Sequence, residues 1–447
     1  MIRSKGALAP VTALAALLAA TGLVGCGGGG GAGSTPVAPS TGGPSSTSHA
    51  GSVTVLPPKA RNLQVWVAYQ DGDGPWKLAQ PSGGNYSFQV DNAEGRYAVL
   101  VVAEQPNEAA TVNALHLTRE EAAVVDLSAS ESSRDANHTI RASVLNAGSS
   151  ARCHVRVQAY TANEACNSWQ ADRHAFMVGD AAFDASLSRF DSSNVADLFV
   201  YLRDLKTSTD LPISFDLARG TALTATQRIG LAADAARAGE SLSYSVTWRS
   251  AQGSIALNRS TSSGAYPTLP AGTALPNGYY STAVTASLAQ GDGRAFRQAG
   301  YRSLDGAGQT VQLPPNVNPV AVGLVPNSAY PRPLVKWSPL AGSLISTLRV
   351  DTFDNPDPSG QDPFWYFRFS AGWTKGAKTL EYSFPDLAGL GWNPRWYFKY
   401  GAQVTVSYGE DSDTAPEPNW YAGATRSKPA GSSYWSSWVE TPLTLPR

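Results

Sequence analysis

Histidine is the side chain that most readily moves protons near neutrality. The chain carries five: His49, His116, His138, His154 and His174. None follows His174, so the C-terminal part of the chain holds no Ser–His or Cys–His nucleophile system. The patterns G-x-S-x-G, H-E-x-x-H, G-x-x-x-x-G-K-[ST] and C-x-x-C are absent. Two-carboxylate glycoside chemistry needs no local motif, but its usual scaffold is one large domain. The expectation is a chain with no catalytic residues, no cofactor and no metal. Asp351, Asp354, Asp357 and Asp362 lie in DTFDNPDPSGQD. Oxygen ligands around a glycine turn are what calcium needs, but Pro356 and Pro358 restrict this backbone and the EF-hand spacing is missing. Ordinary turn chemistry is the expected reading there.

The tryptophans are unevenly spread. Trp337, Trp365, Trp373, Trp392, Trp396, Trp420, Trp435 and Trp438 are eight of the twelve in the chain. Exposed rings could stack on sugars or anchor an interface; buried rings would form a core with an aromatic rim. Trp392, Trp396, Trp420 and Trp435 lie among Gly-, Pro- and Asn-rich segments and are the candidate ligand-binding aromatics. In PFWYFRFSAGW, strand alternation puts Phe364, Tyr366 and Arg368 on one face and Trp365, Phe367 and Phe369 on the other.

The N-terminus carries the most specific signal. Arg3 and Lys5 precede an apolar run from Leu8 to Val24, which ends in Leu23-Val24-Gly25-Cys26 and gives way to Gly27–Gly31. Those four residues resemble the lipobox of bacterial lipoproteins. The resemblance implies a diacylglycerol thioether on Cys26, cleavage just before it and acylation of the new amino terminus. A cysteine is needed because the thiolate is the nucleophile. Several acyl chains give stable anchoring where one is marginal. Gly27, where an Asp would suggest inner-membrane retention, favours the outer membrane.

With Cys26 lipidated, Cys153 and Cys166 remain. An exported chain meets an oxidising compartment, so these two are expected to form a disulfide worth about 3 kcal/mol. A metal site with His154 and His174 is the alternative, and its spacing matches no zinc pattern. The formal net charge of −1 gives no basic face for nucleic acid. The expected partners are the bilayer, through acylated Cys26, and a cell-envelope glycan or another envelope protein.

The elements that must position these residues are strands. After a Gly/Ser/Thr/Pro tether spanning roughly 30 Å root-mean-square, alternating patterns stand at 63–69, 86–90 and 153–160, a continuous apolar strand at 97–103, and further strand patterns at 198–202, 242–248 and 281–288. Asp71-Gly72 and Asp73-Gly74 mark a hairpin turn. Thr224–Arg237 reads either as the one helix or as strand and loop. Strand, turn and Gly-x-Tyr recur faintly near 70–86 and 279–293, a candidate degenerate repeat. Leu334–Trp337 followed by Ser338-Pro339 resembles the second strand of fibronectin type III-like domains, and the resemblance implies that Trp337 is buried. The earlier units resemble prealbumin-like or carboxypeptidase-regulatory-like domains.

The predicted fold is all-β: tandem small β-sandwich domains (Ig, fibronectin III or prealbumin-like) after a flexible Gly/Ser/Pro tether. The predicted divisions are 1–25 signal, 26–55 lipidated Cys and tether, and sandwiches over 56–128, 129–218, 219–315 and 316–447, the last Trp-rich. The expected role is a membrane-anchored, exported lipoprotein of structural, adhesive or binding type, facing periplasm or cell surface. The alternative is a carbohydrate-binding or carbohydrate-active lipoprotein using the C-terminal aromatics.

Overall fold

The computed structural model describes residues 50–58, 62–106, 109–128, 138–148, 151–157, 160–169, 175–178, 182–206, 212–232, 236–250, 253–261, 264–270, 278–290, 293–352, 363–414 and 431–445. Cys26, its tether, Trp420, His49, His174, Asp354, Asp357 and Asp362 lie outside these residues.

The chain is all-β. The described residues form strands, a single four-residue helix at Ala371–Thr374 and a few 3-10 turns. The β-branched and aromatic content of the alternating segments suits a pleated, half-buried surface. No helix among the described residues is long and apolar enough to cross a membrane. The described part of Thr224–Arg237 is strand and loop, with strands at Ala225–Arg228 and Gly230–Leu231.

Twelve strands form one sheet. In chain order they are β1 (Gln64–Asp71), β2 (Trp76–Leu78), β3 (Arg96–Glu104), β4 (Thr111–Thr118), β5 (Ser241–Arg249), β6 (Ser254–Thr261), β7 (Tyr279–Gln290), β8 (Gly293–Ser303), β9 (Ile345–Thr352), β10 (Phe364–Ser370), β11 (Gln403–Asp413) and β12 (Ser433–Thr444). Their order across the sheet is β6-β5-β7-β8-β12-β11-β9-β10-β4-β3-β1-β2. Every pairing is antiparallel except β10 with β4. The β1–β2 connection is the predicted hairpin, with Gly72 at φ +55°, where a side chain would be strained.

Residues of the last predicted unit therefore occupy the middle of a sheet whose ends come from the first and third. The β10–β4 and β8–β12 pairings join them. Each join also removes an open sheet edge, which would otherwise invite non-specific strand pairing.

Smaller sheets complete the sandwiches. One (Gly51–Leu56, Gln80–Ser82, Asn85–Val90, Val124–Asp126) encloses a core with Val67, Val99, Val101 and Leu117 of β1, β3 and β4. Another (Ala321–Leu324, Pro333–Trp337, Leu380–Ser383) contributes to a core on the opposite face, with Val112, Trp365, Phe367 and Leu348. A third core on that face joins β5, β7 and β8. The second predicted unit builds a sandwich around Val155, Leu187 and Phe215 from a three-stranded sheet and a five-stranded sheet whose edge strand, Thr221–Ala222, comes from the third.

Candidate binding face

Cys153 and Cys166 form a disulfide at a Cα–Cα distance of 4.9 Å, buried in the second sandwich. Cys153 sits on strand Arg152–Val157 and Cys166 just after its hairpin partner Tyr160–Ala165. The hairpin brings the two residues together.

His116, on β4, is enclosed by rings. Its imidazole lies 4.3 Å from the centroid of Phe369, 5.0 Å from Trp373 and 4.8 Å from Tyr382. Burial lowers its pKa to about 3, so the ring is neutral at pH 7. His154 is buried beside Asn163 and Arg259; burial, then the guanidinium charge, lowers its pKa to about 4. Both histidines pack as neutral core residues. Among the described residues no group of three or more His, Cys, Asp or Glu could hold a metal ion.

Trp337 is buried, 4.9 Å from the ring of Phe369. The candidate aromatics need correction. Trp392 and Trp396 are only 6% and 7% exposed. They pack edge to face at 5.0 Å and both meet Trp66 of β1. The indole N–H of Trp396 donates to Glu104 at 2.9 Å, and its carbonyl accepts from the indole of Trp365 at 2.8 Å. Both stand in polar-looking loop sequence, but the β4–β10 pairing brings that loop against the first unit and buries its rings. Trp435 is half-buried against the core of β5, β7 and β8. These three tryptophans therefore do not make an exposed platform.

The two faces of the central sheet differ. On the first face Trp435, Ser437 and Val439 of β12 align with Ser412, Glu410 and Tyr408 of β11. Alternation then sends Tyr434, Ser436, Trp438 and Glu440 to the second face. At the β1–β4 end the second face is covered by the core already described. In its middle the buried apolar cluster among the described residues is the pair Ala283 and Tyr434.

That middle region is built of hydroxyls, charges and a few rings. One row across the strands runs Phe296 (β8), Trp438 (β12), Gly409 (β11), Thr347 (β9), Arg368 (β10). The next runs Arg294, Glu440, Ser407, Arg349, Tyr366. Ser407, Thr347 and Ser436 are buried; Phe296, Trp438, Glu440, Arg349, Tyr366 and Arg368 are partly exposed. Gly409 lets the indole of Trp438 come down onto β11: a Cβ there would lie 2.2 Å from the ring. The Trp438 indole N–H donates to Ser436 Oγ. Phe296 holds its ring within 11° of the indole plane, centroids 6.3 Å apart. The guanidinium carbons of Arg349 and Arg368 each lie 5.8 Å from the Tyr366 ring centre. Arg349 also pairs with Asp351.

Trp438 is not among the candidate aromatics named from the sequence. Its signal was parity: three residues after Trp435 in one strand, it must face the other way.

Buried charge anchors the sheet around this region. Arg302 of β8 makes a two-point ion pair with Asp413 of β11, at 2.8 and 3.0 Å, and lies over the Tyr434 ring. On the first face Glu410 accepts from Tyr408 and Ser346 through Oε1. Burial raises its pKa to about 7.

No protein-family model matches the chain, and no curated protein matches it. Thirty-six solved chains do. One is the crystal structure of the FN1–FN3 domains of chicken CNTN1, 9% identical, covering 88% of this chain and 100% of that one at a TM-score of 0.16. A similarity that slight bears on neither arrangement nor activity.

Proposed function

We propose that the chain is a lipid-tethered, non-catalytic binding module of the bacterial cell envelope, presenting the middle of its sheet's second face. The observation that carries the reading is the character of that region. A sheet otherwise lined with apolar cores leaves rings, guanidinium groups and a carboxylate partly exposed there, on strands fixed at both sides by neighbouring sandwiches. The neutral, buried state of His116 and His154 supports a role without proton transfer. The charged start, apolar run and Leu23-Val24-Gly25-Cys26 support the tether, and Gly27 supports the outer membrane as its site. Wild-type protein should incorporate a fatty-acyl label and sediment with outer membranes, and Cys26→Ser should do neither. Equal labelling of the two would overturn the tethered reading.

A further inference from the structure

The half-buried indole of Trp438 rests on the backbone of Gly409, with the ring of Phe296 nearly parallel beside it. We propose that this pair is the stacking platform for a saccharide, with Glu440, Gln298 and Arg349 supplying hydroxyl-binding groups around it. The proposal rests on the binding-module reading and names its ligand class.

Three features select a sugar over other occupants. An apolar ligand needs a concave, mostly apolar cavity, whereas the partly exposed neighbours of these rings on the sheet face are Glu440, Gln298 and Arg349. An anion needs charge of one sign, whereas Arg294 stands opposite Glu440, and Arg349 is paired with Asp351. A pyranose has an apolar C–H face to lay on a flat ring, and hydroxyls at its rim that both donate and accept. Mixed donors and acceptors around a flat aromatic surface match that pattern. Gln298 is held by Thr285 at 2.8 Å, beside Ser436 in register, and keeps its amide oxygen available as an acceptor.

The layout also sets the size of the ligand. Trp438 and Tyr366 are on strands three pairings apart, roughly 14 Å at the usual strand spacing. A single sugar ring on Trp438 does not reach Tyr366; an oligosaccharide laid across the strands does. The ligand is therefore an uncharged or weakly charged oligosaccharide whose rings present a flat C–H face, as β-linked glucose and N-acetylglucosamine chains do.

The test uses the full chain in detergent micelles, titrated with soluble β-linked glucose and N-acetylglucosamine oligosaccharides, with calorimetry and tryptophan fluorescence as readouts. Wild type should bind at least one series, more tightly as the oligosaccharide lengthens. Trp438→Ala should weaken binding about tenfold or more. Trp435→Ala, on the other face, should leave the affinity of the folded protein within about twofold. Tyr366→Ala should weaken only the longer oligosaccharides. Glu440→Gln, a surface change, should also weaken binding and guards against a folding defect in Trp438→Ala, which circular dichroism checks. Wild type that binds neither series overturns the proposal, as does folded Trp438→Ala with unchanged affinity. A chain that is acylated yet binds no sugar keeps the tethered reading and loses this one. A chain that binds sugar without acylation does the reverse.

Discussion

Trp365 and Trp438 lie three strands apart on opposite faces of one sheet, and they show how one residue type serves two ends. Trp365 is buried among Phe367, Phe384, Trp392 and Phe398, with its N–H satisfied by the Trp396 carbonyl. Among the described residues Trp438 has one neighbouring ring, a glycine beneath it and hydroxyls around it. The first face of the middle strands holds sandwiches together through burial. The second face holds its shape through ion pairs and close backbone approach, leaving rings partly free. A high tryptophan count is therefore not evidence for binding: most of these rings form a core shared between units.

The sharpest test of that contrast is truncation on the first face. Trp365→Ala should cost about 3–5 kcal/mol of unfolding free energy, and Trp396→Ala a similar amount with the added loss of its bond to Glu104. Denaturant titration measures both. A loss below about 1 kcal/mol at either position would mean that the shared core does not hold the units together.

On the second face, Asp413→Ala removes the carboxylate from Arg302 and strands a buried guanidinium. The expected loss is about 3–5 kcal/mol, most of it the cost of the uncompensated charge. Replacing both partners with apolar residues should recover much of that loss. Failure to recover it would show that the face depends on the pair itself.

Acid–base behaviour separates two buried titratable groups of the first face, Glu410 and His116. The pKa of Glu410 is raised to about 7 from 4.5, so its favourable contribution is complete below pH 4.5 and is lost as pH rises through about 7. Stability should therefore fall across that window, by up to about 3 kcal/mol. The pKa of His116 is lowered to about 3 from 6.5, so its contribution is present above pH 6.5 and lost as pH falls toward 3. The two oppose one another between pH 4.5 and 6.5. Glu410→Gln should abolish the loss at higher pH while keeping the acid-side decline, as melting temperatures against pH would show. Curves that stay parallel would place the Glu410 carboxyl in water.

The smallest expected effect is Trp438→Ala, at about 1 kcal/mol or less, since the ring is partly exposed and buries little that the core needs. A loss as large as that of Trp365→Ala would erase the difference between the faces.

Much of the all-β architecture was legible locally. Strand patterns at 63–69, 97–103 and 242–248, the Asp-Gly turn at Gly72 and the split of Phe364–Phe369 between two faces follow from local apolar patterning and from turn chemistry. So does the Cys153–Cys166 pairing, once the cysteines are counted against an export signal. What local sequence does not carry is which strand meets which across hundreds of residues. The β4–β10 and β8–β12 pairings are backbone hydrogen bonds, available in principle to any exposed edge, and side-chain pattern alone does not name the partner. Those two contacts decided that Trp392 and Trp396 are core, that the last unit lies in the middle of a shared sheet, and that Trp438, rather than Trp435, is the ring left lying on the open face.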